Sequence, residues 1–88
     1  MDLRQLQMFK TVAELGGFTK AGAKLFVSHS AISRQIKLLE DELHSPLFAR
    51  TARQVTLTEA GRVLLPYAEA ILNQVVWHQG YSLGYRQS

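Results

Sequence analysis

The chain has 88 residues, 47% of them hydrophobic, with 10 Lys or Arg against 7 Asp or Glu, a formal net charge of +3 and no cysteine. This describes one small domain whose core is marginal unless a partner adds buried area, and it excludes a disulfide framework and a cysteine-based zinc site. The opening MDLRQLQMF is amphipathic, unlike a secretory signal, and the most apolar stretch, residues 63–77, is too short for a membrane span and carries Glu69, Asn73 and Gln74. Charge is unevenly placed: between Glu14 and Glu40 lie Lys20, Lys24, Arg34 and Lys37 with no acid, and Arg50 and Arg53 follow the acidic residues 40–42. Such local basic surfaces suit a polyanion.

Asp2 with Gln5 three residues later reads as a capping box. It opens a first helix whose stripe is Leu3, Leu6, Phe9 and Ala13, flanked by Met8, Val12 and Leu15 and closed by Gly16-Gly17. Thr19 reads as the N-cap of a short second helix, TKAGAKLF, with Ala21, Leu25 and Phe26 as its apolar positions. Gly22 weakens that helix by about 1 kcal/mol against alanine and marks a close approach by another helix. Ser28 caps a third helix, in which Ile32, Ile36, Leu39 and Leu43 recur at i, i+4, i+7 and i+11. The gap of about three residues between the second and third helices suits a helix-turn-helix corner. The polar face of the third helix runs from Ser30, Ser33, Arg34 and Lys37 to Glu40, Asp41 and Glu42, the reverse of what the helix dipole favours.

Ser45-Pro46 forces the chain into an extended conformation. LFAR and QVTL, separated by TAR, read as a small hairpin, though its turn lacks a glycine pair. Thr58 caps a long helix from about Glu59, in which Glu59, Arg62 and Glu69 are the only formal charges up to residue 79. Its stripes are Gly61, Leu64, Ala68, Ile71 and Val75; Leu65, Leu72 and Val76; and Val63, Tyr67 and Ala70. A helix apolar on so many sides packs on its own domain and on another chain. Pro66 removes one backbone hydrogen bond to residue 62, which predicts a bend, and the tail GYSLGYRQS reads as frayed. From the residues alone the chain is a basic helix-turn-helix module that dimerises.

The ordered segments AISRQIKLLEDEL, LFAR and LTEAG, within residues 18–61, add a more specific signal. Over roughly residues 1–75 the chain resembles the N-terminal winged helix-turn-helix of LysR-type transcriptional regulators. The resemblance implies a mainly α fold: residues 1–57 form three helices plus a short hairpin wing, and residues 58–88 form a linker or dimerisation helix with its frayed tail. It implies sequence-specific binding of a double-stranded DNA operator, with residues 28–43 in the major groove, the wing at 47–57 on the minor groove or flanking phosphates, and a dimer reading an interrupted palindrome. Ser28, His29, Ser30, Ser33, Arg34 and Lys37 then face DNA, and Thr19, Lys20 and Lys24 are phosphate contacts. Arg53 resembles the family's wing residue; Arg50 either does the same or braces the wing. The dimer forms through Leu64, Ala68, Ile71, Leu72 and Val75. Complete members carry a C-terminal domain for a small effector, no part of which is expected in these 88 residues. The family also implies a cytoplasmic protein without cofactor or metal, the full-length form being a dimer or a tetramer.

Two positions depart from the family pattern. His29 stands where glutamine is common, and its imidazole cannot match both atoms of an adenine edge as glutamine does. His44 stands where the third helix usually ends at glycine, a left-handed position that histidine tolerates. The rival readings are weaker. His29, His44 and His78 are scattered, which supplies neither a metal cluster nor a nucleophile–base pair with an orienting third group. A helical protein-interaction module accounts for the long apolar helix, but it has no use for both a basic hairpin and an acid-free interval.

Overall fold

The computed structural model describes residues 1–51 and 54–82, with residues 75–82 described by backbone alone. Four helices, α1 (Leu3–Leu15), α2 (Phe18–Leu25), α3 (His29–Leu43) and α4 (Glu59–Ser82), are interrupted by a hairpin of β1 (Phe48–Arg50) and β2 (Val55–Leu57). The strands are antiparallel, pairing Phe48 with Leu57 and Arg50 with Val55. This is a winged helix-turn-helix followed by a long helix. The core joins Leu6, Phe9 and Val12 of α1, Ala21 of α2, Ile32, Ile36 and Leu39 of α3, Leu47, and Ala68 of α4.

The caps follow the local chemistry. The Asp2 carboxylate accepts the Gln5 N–H at 2.7 Å, and the Ser28 hydroxyl accepts the Ala31 N–H at 3.1 Å. Thr58 does more than cap α4: its hydroxyl accepts the Gly61 N–H and donates to the Pro46 carbonyl, so it also ties the chain before the wing to the helix after it. His44 is left-handed at φ 55°. The His44 N–H reaches the Asp41 carbonyl and the Ser45 N–H the Glu40 carbonyl, so a histidine closes α3 in the Schellman arrangement usually given to glycine.

Several sequence expectations change. Gln5 does not complete a capping box; its amide crosses to α3 and donates to Gln35 Oε1 at 3.0 Å, because the residue is buried and its side chain is directed inward. Thr19 does not cap α2. The cap lies two residues earlier, at Gly17, which makes no side-chain cap, and the helix starts at Phe18. This start puts the apolar Phe18 ring in the core, which outweighs a hydroxyl cap. Phe26 is not a core position but 95% exposed, since its left-handed backbone (φ 59°) closes the turn and swings the ring outward. Leu3, likewise, lies outside the core.

Two glycines mark close backbone contacts. A Cβ on Gly22 would collide with the Val27 carbonyl oxygen, and one on Gly61 with the Leu47 carbonyl oxygen and, at 2.7 Å, the Leu57 side chain. Gly22 thus admits the turn that leads into α3 rather than a neighbouring helix. Alanine at either site gains about 1 kcal/mol of helix propensity. The overpacking costs about 1–3 kcal/mol, so urea denaturation of Gly22→Ala and of Gly61→Ala is expected to show net destabilisation; a rise in stability would mean the backbone yields easily there.

Candidate nucleic-acid interface

The first turn of α2 is where the wing and the start of α3 meet. Phe18, buried at its head, has the Arg50 guanidinium of β1 over its ring at 4.3 Å from the centroid. The same ring lies 5.9 Å from Phe48 in an edge-on arrangement and 5.7 Å from the imidazole of His29. Next in sequence, the Thr19 hydroxyl is 3.3 Å from His29 Nδ1. Two residues of the wing, Phe48 and Arg50, and one of α3 are therefore registered against the same aromatic ring. With the cation exposed, as Arg50 is, such a contact is worth about 0.5–1 kcal/mol, enough to bias the orientation of the wing.

Ser28, His29, Ser30 and Ser33 line one shallow, open concavity on α3. The Ser28 hydroxyl, besides capping the helix, lies 3.3 Å from the Ser30 hydroxyl. Arg34 is exposed beyond them, and Lys37, also exposed, pairs with Asp41 at 3.1 Å. That pair is solvent-facing and worth little, so an external anion can compete for Lys37. A second groove runs between the start of α2 and the wing, lined by Gly16, Phe18, Lys20, Thr51, Gln54 and Val55 among others. Together the surfaces offer hydroxyls, an imidazole and long cationic donors around a helix N-terminus whose free N–H groups favour anions.

The comparisons with known proteins decide the family. Residues 3–62 match the family described as "Bacterial regulatory helix-turn-helix protein, lysR family". The chain belongs to that family. Among curated relatives, an HTH-type transcriptional regulator from the ibpB-leuC intergenic region of Azotobacter vinelandii is 49% identical over 73 residues, 83% of this chain and 51% of the relative. The regulator TfdT of Cupriavidus pinatubonensis is 46% identical over 72 residues, 82% of this chain and 32% of TfdT. This LysR-family chain thus spans about half the length of the first relative and a third of the second. Among solved structures, the BenM DBD bound to catB site 1 DNA matches with a TM-score of 0.86 at 39% identity, covering 91% of this chain and 89% of that one. The CbnR DBD–DNA complex matches with a TM-score of 0.83 at 39% identity, covering 91% of each chain.

Within this LysR-family domain the expected site residues fall into three groups. Thr19 meets His29 at the α2–α3 corner, Ser28, Ser30 and Ser33 line the same concavity as His29, and Lys20, Arg34 and Lys37 are exposed. Arg50 is engaged with Phe18, which favours bracing the wing between the two roles left open for it. Arg53 lies outside the described residues, as do the side chain of Val75 and the tail beyond residue 82. On α4, Ala68 is fully buried in its own domain and Leu64 and Leu72 pack partly against that core, whereas Ile71 is exposed beside Val63 and Tyr67. Among the described residues no helix is long and apolar enough to cross a membrane. Sequence reasoning missed Phe18, and the signal was present: an apolar ring directly after Gly16-Gly17, one residue before the position taken for the cap.

The double duty of Ser28 yields a stability prediction. Ser28→Ala should lower stability by about 1 kcal/mol in chemical denaturation, and Ser28→Asp should recover most of the loss because a carboxylate caps equally well. Equal stability of all three proteins would show that the cap contributes nothing.

Proposed function

We propose that this chain is the DNA-binding part of a bacterial transcriptional regulator, binding double-stranded DNA sequence-specifically from the cytoplasm. In this reading α3 enters the major groove and its hydroxyl-rich start reads base edges. The observation that carries it is the open concavity of Ser28, His29, Ser30 and Ser33 beside Arg34, on a fold that matches domains solved on DNA. Arg34 supplies a fork that fits guanine O6 and N7. Lys20, at the α2–wing groove, neutralises phosphate, and Arg53, which follows β1 in sequence, meets the minor groove or a flanking phosphate. Arg50 holds the wing at its angle through Phe18. Effector binding belongs to a further domain of the kind complete family members carry.

Binding to a duplex selected from a randomised library should weaken steeply with salt, because phosphate neutralisation releases counterions. Arg34→Ala should cost about 1–3 kcal/mol and relax preference at one base pair, while Lys20→Ala should weaken all duplexes alike and flatten the salt slope by about one unit. The same response from both variants would show that α3 is not reading bases. A salt slope unchanged by Arg53→Ala, with lost preference for A·T-rich flanks, would assign Arg53 to minor-groove shape.

The active form we propose is a homodimer through α4. Val63, Tyr67 and Ile71 recur at i, i+4 and i+8 and are 60%, 65% and 42% exposed, an apolar stripe facing away from the core. Leu64 and Leu72 border it. Tyr67→Glu combined with Ile71→Glu, both outside the core, should give monomers in sedimentation with the fold intact and far weaker binding to a two-half-site duplex. Unchanged dimers would move the interface elsewhere.

A further inference from the structure

The contact between Thr19 and His29 carries a consequence for base choice. A neutral imidazole has one donor and one acceptor nitrogen, and the hydrogen bond at one nitrogen fixes what the other presents. His29 is the first residue of α3, held there by the Ser28 cap and by the tight turn that Gly22 permits against the Val27 carbonyl. This places Nδ1 3.3 Å from the Thr19 hydroxyl, while the ring lies against Phe18 at 5.7 Å and 33°. The ring is thus held by a hydroxyl at one nitrogen and an aromatic neighbour beside it, and the residue remains exposed. Nε2 is the nitrogen left for a ligand.

We propose that Thr19 is a positioning residue rather than a phosphate contact: its hydroxyl donates to His29 Nδ1 and holds the imidazole with Nε2–H presented to the major groove. The proposal rests on the DNA-binding reading above. A hydroxyl can donate or accept; a neutral histidine ring by itself favours its Nε2–H form, so the hydroxyl donates, and the surface opposite reinforces that form. Phosphates, purine N7, guanine O6 and thymine O4 are all acceptors, so DNA stabilises the tautomer with N–H outward, and the hydroxyl completes that tautomer by donating inward. A single outward donor meets N7 of either purine, meets O4 of thymine, and is opposed by the N4 amino group of cytosine. His29 therefore selects purine over cytosine on the facing strand without separating guanine from adenine, where a glutamine would favour adenine.

Two measurements test this. In the free protein, imidazole nitrogen NMR should show the Nε2–H tautomer in the wild type, a mixture in Thr19→Val, and recovery in Thr19→Ser. On a library-selected duplex, His29→Gln first locates the base pair that His29 faces. The wild type should prefer purine to cytosine there by about two- to tenfold, Thr19→Val should lose that preference with the salt slope unchanged, and Thr19→Ser should regain it. A Thr19→Val protein with wild-type tautomer and wild-type base preference overturns the proposal. So does a uniform loss of affinity with a flatter salt slope, which would make Thr19 a phosphate contact after all. If the wild type binds no duplex, the DNA reading and the base preference fall together, while the tautomer measurement still decides whether Thr19 orients His29.

Discussion

Both polar groups of the Leu47 peptide are committed to other elements, and the arrangement of the domain depends on them. Its N–H is taken by the Glu40 carboxylate of α3 at 2.7 Å, with the Phe48 N–H at 3.4 Å from the same oxygen. Its carbonyl accepts the Thr58 N–H at 3.0 Å and lies against the α-carbon of Gly61. The Leu47 side chain is 1% exposed, so neither group can turn to water without opening the core. The last turns of α3, the entry to the wing and the first turn of α4 therefore share one buried peptide. A hydrogen bond to a charged acceptor contributes about 1.5–3 kcal/mol, and an orphaned buried N–H costs a comparable amount.

That junction accounts for the charge order of α3, which runs against its own dipole. Acidic residues near a helix C-terminus cost about 0.3–1 kcal/mol each. Each acid here has a partner: Glu40 bonds the Leu47 and Phe48 amides, Asp41 pairs with Lys37, and Glu42 pairs with the Met1 ammonium. Glu40 is the structural one of the three, since it alone bonds backbone amides of another element. Among the three acids only Glu40 is placed where its loss would free the wing.

The parts of this fold that are local were legible in the sequence, and those set by contacts between distant residues were not. Asp2, Ser28 and Thr58 announce their helices because a cap is a contact over three residues, and the α3 stripe announces its buried face because periodicity is a property of one helix. Thr19 misled because two neighbours competed for the first turn of α2; burial of the Phe18 ring decided it, and that ring's partners are up to thirty-two residues away at Arg50. Gln5 misled in the same way, its partner Gln35 lying on another helix. The hydroxyl-rich corner of the candidate site was legible, since Ser28, His29, Ser30 and Ser33 share one helix, whereas the Thr19–His29 contact and the contact of Arg50 with Phe18 exist only once the elements have packed.

On α4, Gly61 and Ala68 face the core while Val63, Tyr67 and Ile71 face away from it, which sets how orientation passes through the domain. Gly61 and Ala68, seven residues apart, let the helix axis approach the core closely, and Gly61 does so against the Leu47 carbonyl itself. The broad side chains of Val63, Tyr67 and Ile71 are left on the far side. A partner gripping that far side would hold a helix whose near side contacts the peptide that Glu40 of α3 also binds. Between such a partner and α3 stand the close approach of Gly61 to the Leu47 carbonyl, a fully buried leucine and the Glu40 carboxylate on the Leu47 N–H. In the dimer we propose, the angle between the two α4 helices would therefore fix the separation of the two α3 helices, and the spacing of half-sites on DNA would follow from packing on α4 rather than from residues that touch a base.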